Sequence, residues 1–305
     1  MTKNKRMAII CGAVGACMLT VGAAAGYRTA NGYDALKKSI LATRELKNCT
    51  FNMDTRISFD GNEIVTDQQL WEGDLDNEML HSKNTSDYYG ETSCDEYYYY
   101  NDARYSLEQE DAGVYTKQND FSFYYKNPWG IDDEDSPTVD KVLTFLEIAA
   151  DTVVGDLRNN FICTADEDDY TSYRVSLDRV QIPEIINAGL GVIFAISNDT
   201  ADYARTDENG NEYSISEDKD NMYYYTARMG NDPIVDSITL DYTLNKDGSF
   251  RDGTTVVIFK GEGHEIRFDI STKLDNVGTT RIQTLEEQGA NIMSIEDYLK
   301  KYESD

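Results

Sequence analysis

Hydrophobic positions recur along this chain with two periods, one helical and one of two residues. Leu36, Ile40, Thr43 and Leu46 fall at i, i+4, i+7 and i+10, which predicts an amphipathic helix over residues 31–47. Asn31 is placed to cap it, with Asp34 three residues on. Phe51, Met53, Ile57 and Phe59 then alternate with polar neighbours, the pattern of a strand with one buried face, and Asp60-Gly61-Asn62 is a turn. Residues 63–74 and 78–84 continue the alternation less cleanly. Residues 92–101 carry Tyr97-Tyr98-Tyr99-Tyr100, and 114–118 reads as one more short strand. Tyrosine favours strands, burying its ring while its hydroxyl stays wet. The run is therefore read as strand rather than as a carbohydrate or aromatic platform.

A helical period returns after Asp132-Asp133-Glu134-Asp135. Ser136 is a strong N-cap, Pro137 suits the first helical position, and the preceding acids complement the helix dipole. Val139, Val142, Leu143, Leu146, Ala150 and Val153 form one stripe, and Gly155 ends the helix. Residues 161–165 and 173–177 read as strands. Pro183 opens a second helix through Ile196 that is apolar nearly all round, as in a buried helix or one covering an apolar cavity. Its 14 residues are too few for a usual membrane span. Residues 198–232 form an acidic, tyrosine-rich insertion with no clear period, either a long hairpin or a loop. Three long alternating segments follow at 234–244, 250–260 and 264–274, joined by Asn245-Lys246-Asp247-Gly248 and Gly261-Glu262-Gly263. Ser294 and Asp297 stand in capping-box spacing for a short terminal helix through Tyr302. With no internal repeat or proline-rich linker, the economical solution is α+β: one antiparallel sheet with helices on one face. Residues 31–305 are read as a single domain carrying the 198–232 insertion.

The first thirty residues stand apart. Lys3, Lys5 and Arg6 precede an uncharged stretch at 7–27, and no acid occurs before residue 31. As a helix of about 1.5 Å per residue, that stretch spans roughly 30 Å, one hydrocarbon core. Three readings fit: an uncleaved transmembrane anchor, a secretory signal cleaved after Ala23-Ala24-Ala25, and a lipoprotein signal at Val14-Gly15-Ala16-Cys17. Each places the body outside the cytoplasm. The expected location is extracytoplasmic and membrane-anchored through residues 7–27, with secretion after signal cleavage as the alternative.

Charge sharpens this division. The chain has 28 Lys+Arg against 56 Asp+Glu, a formal net charge of −28. With the four basic residues of the first thirty, Lys3, Lys5, Arg6 and Arg28, set aside, the rest holds 24 basic and 56 acidic side chains, a net of −32. Such a surface repels phosphate backbones, which excludes nucleic acid as a partner. Hydrophobic residues make up 40%, enough for a packed core.

No catalytic motif stands out, and the chain is read as a non-enzyme. His81 and His264 lie in no metal-ligand spacing, and no Gly-x-Ser-x-Gly elbow occurs. Asp207-Glu208-Asn209-Gly210-Asn211 begins like an EF-hand loop, but Glu212 stands where the turn needs Gly and Asp218 where Glu is expected. That segment and Asp166-Glu167-Asp168-Asp169 are read as solvated loops, with no metal and no cofactor expected. Cys49, Cys94 and Cys163 allow one internal bridge at most, a Cys49–Cys94 pairing being possible, and no Cys-x-x-Cys spacing suggests zinc.

The order of export segment, amphipathic helix, strand meander, capped helices and long hairpins resembles the periplasmic lipoprotein-carrier (LolA/LppX-like) superfamily. Tyr33-Asp34-Ala35-Leu36 through Phe59 carries the resemblance, supported by Ile238, Leu240, Tyr242, Val256, Ile258, Ile266 and Phe268 in the 236–272 hairpins. The resemblance implies a curved antiparallel sheet, a half-barrel, with helices packed on the concave face and an apolar groove for acyl chains or for a partner's peptide. Leu143, Leu146, Ile185, Ile186 and Phe194 are the expected ligand-binding residues, lining or covering that groove. The expected function is that of an extracytoplasmic, membrane-associated protein holding a lipid or other apolar ligand. The alternative is a membrane-tethered envelope interaction or sensor protein whose sheet and acidic insertion contact another protein.

Overall fold

The computed structural model describes residues 32–44, 46–109, 113–119, 160–182, 184, 187, 204–206, 212–214 and 222–302. The chain opens with α1 (Gly32–Arg44), then runs β1 (Asn48–Phe59), β2 (Asn62–Asp74), a 3₁₀ turn (Leu75–Asn77), β3 (Met79–Tyr88), β4 (Glu91–Tyr100), β5 (Ala103–Gln109) and β6 (Val114–Asn119). β7 (Phe161–Asp166), β8 (Tyr170–Asp178), β9 (Ala204–Thr206), β10 (Glu212–Ser214) and α2 (Met222–Arg228) follow. β11 (Ile234–Asn245), β12 (Phe250–Gly261), β13 (His264–Asp275), α3 (Leu285–Gln288), β14 (Asn291–Ser294) and α4 (Ile295–Tyr302) complete it. Twelve strands form one sheet in the order β14-β6-β5-β4-β3-β2-β1-β13-β12-β11-β8-β7. The registered pairs are antiparallel apart from β14 against β6, which is parallel. A large, mostly antiparallel sheet, with few helices among the described residues, agrees with the antiparallel sheet of the expected fold class and leaves its concave-face helices untested.

Sequential strands pair because their turns are tight. Asp60-Gly61 (φ 49° and 79°), Tyr89-Gly90 (59° and 89°) and Glu262-Gly263 (48° and 84°) each place two residues in the left-handed region. That is the two-residue turn whose twist matches antiparallel strands, and glycine fills the second position without a Cβ penalty.

The chain divides into two compact units. The first holds residues 1–41, 56–64 and 133–270, the second 42–55, 65–132 and 271–305. In the first, β8, β11 and β12 bury alternate residues, as their period of two requires: Val175 and Leu177, Ile238, Leu240 and Tyr242, Val257 and Phe259. The other side of these strands is mostly polar, Val256 and Ile258 of β12 excepted, with Arg174 paired to Asp241 (2.7 Å) and Lys260 to Asp236 (2.8 Å). The N-terminus of α1 sits against the buried side, where the Tyr242 hydroxyl donates to the Gly32 carbonyl at 2.7 Å. The hairpin turn after β12 meets the end of α2. A Cβ on Gly261 would lie 2.1 Å from the Met229 carbonyl oxygen, so only glycine allows this approach.

In the second unit, β2 to β6 form a meander covered on one side by the C-terminal segment. Tyr98, Tyr100, Ala103, Tyr105 and Tyr115 pack with Ile282 and Leu285. Thr284 caps α3 through a full capping box with Glu287. Ser294 caps α4 as the sequence predicts, accepting from the Asp297 N–H at 3.1 Å.

Several expectations need restating. The transmembrane helix expected at residues 7–27 is set aside. Among the described residues no helix is long and apolar enough to cross a membrane. The longest of them, α1, has 13 residues and charged positions along it, about 20 Å where a span needs about 30 Å. That statement concerns helices alone, and residues 7–27 themselves lie outside the described residues. The helices expected at 136–155 and 183–196 also fall outside them, Glu184 and Asn187 excepted, so the expected packing of those helices on the concave face is not tested by the described residues. Within 198–232 the described residues form the β9–β10 hairpin and α2. Cys49, Cys94 and Cys163 are in no disulfide, so the possible Cys49–Cys94 bridge is not formed.

Candidate functional site

Leu143, Leu146, Ile185, Ile186 and Phe194, the expected ligand-binding residues, lie outside the described residues. What the structure provides in the first unit is the sheet side they were expected to face. Leu240 stands between Val175 on β8 and Thr255 on β12, and Ile238 between Leu177 and Val257. Tyr173 and Tyr242 stack with centroids 5.2 Å apart, and Phe259 meets Phe268 edge-on at 5.5 Å. The result is an apolar field four strands wide, from β8 to β13, in which the Tyr242 hydroxyl has its partner in Gly32. Burial pushes the Tyr242 phenol far above its ordinary range, so its hydroxyl stays a donor to Gly32. Fully burying each such aliphatic or aromatic side chain stabilises the fold by ~1.5–3 kcal/mol.

The second unit carries a different constellation. Register places Glu72 opposite His81 and His81 opposite Tyr98, so three side chains of β2, β3 and β4 share one row. His81 Nδ1 lies 2.7 Å from Glu72 Oε2, and Nε2 lies 2.9 Å from Glu96 Oε1. Lys83 donates to Glu96 Oε2 at 3.1 Å, and the Tyr98 hydroxyl donates to Glu96 Oε1 at 3.0 Å. The Tyr98 ring stacks on the imidazole at 4.1 Å and 10°. Burial works against a charged His81 ring, yet the hydrogen bonds and charges of Glu72 and Glu96 outweigh it and raise its pKa. Burial likewise opposes a charged Glu96, but donation from His81 and Lys83 brings it down to about 2. Tyr115, buried beside Glu96, is pushed up to about 12. Asp67, buried at 3% exposure, is raised by burial in spite of donors from Gln69, Asn84 and Tyr88.

These groups interlock side chains; none presents a nucleophile paired with a base. The tyrosine run is a strand, as read: Tyr98 and Tyr100 face the C-terminal segment, and Arg104 lies over the Tyr97 ring at 5.0 Å. The acidic turn Asp166-Glu167-Asp168-Asp169 is held by Lys246, 2.6 Å from Asp166, and Arg251, 3.4 Å from Asp169. Among the described residues no group of three or more His, Cys, Asp or Glu is arranged to hold a metal. Residues 207–211 and 218 lie outside them. The His81 network was missed from sequence because its members are 9 and 15 residues apart. The signal that could have found it is a histidine and two glutamates on strands whose turns fix the register.

No family model and no curated protein matches this sequence. Several solved structures are similar to this chain. A lipovitellin structure concerned with lipid–protein interactions shares 9% identity over 77% of this chain and 26% of that one, with a TM-score of 0.27. This chain thus spans about a quarter of the lipovitellin chain it matches. A LolA superfamily protein from Nitrosomonas europaea shares 8% identity over 85% of this chain and 97% of that one, TM-score 0.21. A beta-barrel-like protein of a domain of unknown function from Brucella abortus shares 9% identity over 75% and 97%, TM-score 0.17. At these identities and scores the likenesses carry no argument about a site.

Proposed function

We propose that this chain is a binding protein that holds a lipid or another apolar ligand, and that it does so outside the cytoplasm. One observation carries the reading: the sheet of the first unit is one-sided. Its buried side is apolar across β8, β11, β12 and β13, while its other side is laced with ion pairs. An acyl chain needs a wide apolar surface with few unmet polar atoms, because each unpaired polar group facing it is penalised. The half-barrel curvature, the cover from residues 137–155 and 183–196, and the role of Leu143, Leu146, Ile185, Ile186 and Phe194 belong to this proposal. The lipid–protein interactions named for lipovitellin are in keeping with it. The basic-then-apolar leader serves, in this reading, as an export address.

Titration with a dansyl-labelled fatty acid tests the idea. Saturable fluorescence enhancement is expected, and Leu240→Asp should abolish it in protein that retains its sheet by circular dichroism. Enhancement that is absent in the natural chain, or identical in a folded Leu240→Asp variant, sinks the proposal.

A second reading, a protein-contacting role, has its own observation. Ile295, Leu299 and Tyr302 lie at i, i+4 and i+7 on α4 and are 40%, 42% and 39% exposed. Cross-linking from residue 299 to a partner in the producing cell, lost in Leu299→Glu, would favour it over ligand holding.

A further inference from the structure

We infer that His81, Glu72 and Glu96 form a proton-operated latch that holds the C-terminal cover of the second unit against its tyrosine face. Both ring nitrogens of His81 lie within 2.9 Å of a carboxylate oxygen, Glu72 on one side and Glu96 on the other. A carboxylate only accepts, so both nitrogens must donate, which a neutral imidazole with its single N–H is unable to do. The geometry therefore requires the imidazolium, and Glu72, Glu96, His81 and Lys83 together balance to zero. The facing titratable groups are Glu72 from β2, Lys83 from β3, Glu96 and Tyr98 from β4, and Tyr115 from β6.

Tyr98 connects this group to the cover. Its ring lies flat on the imidazole, its hydroxyl donates to Glu96, and that same oxygen accepts from the Gln288 side chain at 3.4 Å, at the end of α3. It also packs in the cluster that Ile282 and Leu285 close. Removing one proton from His81 leaves a nitrogen lone pair pointing at a carboxylate at under 3 Å. Glu96 is only 8% exposed, so little water can relieve the contact there. The ring must turn, the stacked Tyr98 must follow it, and the hold on Gln288, Leu285 and Ile282 is released. The cover is closed with the proton on and loosened with the proton off.

Two measurements on the full chain test the latch. The first is the NMR titration of the His81 ring, distinguished from His264 with a His264→Gln variant. The second is hydrogen exchange at amides 285–290, corrected for the intrinsic pH dependence of exchange. We expect both His81 nitrogens to be protonated at pH 7, with a midpoint above the ordinary 6.5. Protection at 285–290 should drop at least tenfold as pH rises through that midpoint. Glu72→Gln, on the more exposed of the two carboxylates, should lower the midpoint and move the loss of protection with it. A His81 ring carrying one proton at pH 7 overturns the inference. So does a midpoint that Glu72→Gln leaves unchanged, or protection that does not follow the titration.

Discussion

Tyr100→Phe isolates one polar fastening while leaving the packing in place. Tyr100 is 2% exposed, and its ring stacks on Tyr105 at 4.4 Å, a contact phenylalanine preserves. Its hydroxyl donates to Glu286 Oε2 at 2.7 Å and accepts from the Leu285 N–H at 3.1 Å. Burial holds the phenol far above its ordinary range, so the donor persists across the working pH range. Leu285 is fully buried, so its N–H, one of the unsatisfied donors at the start of α3, finds no water when the hydroxyl is gone. A buried unsatisfied N–H costs about 1–3 kcal/mol. Glu286 is exposed and exchanges its lost bond for water, adding only a few tenths. The expected loss is therefore about 2 kcal/mol, read as a lower urea midpoint with unchanged m-value. Exchange at the Leu285 amide should accelerate roughly 30-fold, the same free energy expressed as a rate ratio. A loss under about 0.5 kcal/mol with unchanged Leu285 exchange would refute the claim that this hydroxyl fastens the C-terminal segment.

Other perturbations bear on separate parts of the structure. Gly261→Ala puts a Cβ 2.1 Å from the Met229 carbonyl oxygen, a backbone atom that must move. A loss of about 1–3 kcal/mol and increased exchange at residues 226–230 are expected, against none if the hairpin turn and α2 do not touch. Glu96 has its folded pKa depressed to about 2, below the ordinary 4.5. Its contribution is thus fully present above pH 4.5 and lost as pH falls toward 2. Glu96→Gln should flatten the urea midpoint against pH in that window, and an unchanged slope would contradict the assignment. Burial pushes the Cys49 thiol up to about 11, whereas Cys163 is exposed. Iodoacetamide at pH 7.5 with peptide mapping should label Cys163 first and leave Cys49 intact until the chain unfolds, and early labelling of Cys49 would show its strand to be open.

What the sequence disclosed was what lies close along the chain. The hairpins from 234 to 274 were legible because alternation and turn residues agree, β7 and α4 came out at nearly their observed bounds, and only the middle of β8 was read, 173–177 of Tyr170–Asp178. α1 was legible from its stripe, with Leu36 and Thr43 buried as expected. β5 and α3 were not read, although Thr284 and Glu287 carry the capping-box spacing that α3 uses. β14 was hidden because its four residues gain their order from parallel pairing with β6, some 177 positions earlier at Asn291 against Val114. The role of His81 depends on register across two turns, which alternation alone does not supply. The apolar side of β8, β11 and β12 was anticipated from Ile238, Leu240 and Tyr242. Val256 and Ile258, grouped with them at first, are only partly buried, because alternation along β12 puts Thr255, Val257 and Phe259 on the buried side.

The one-sided sheet of the first unit is proposed to hold an apolar ligand. Native mass spectrometry of the full chain, purified without detergent and paired with solvent extraction, addresses it directly. A bound species of lipid mass, near one per chain, is expected, recovered in the organic phase and absent from the folded Leu240→Asp variant. A chain that carries no such species, and gains none when mixed with total lipid extract from its producing cells, would contradict it.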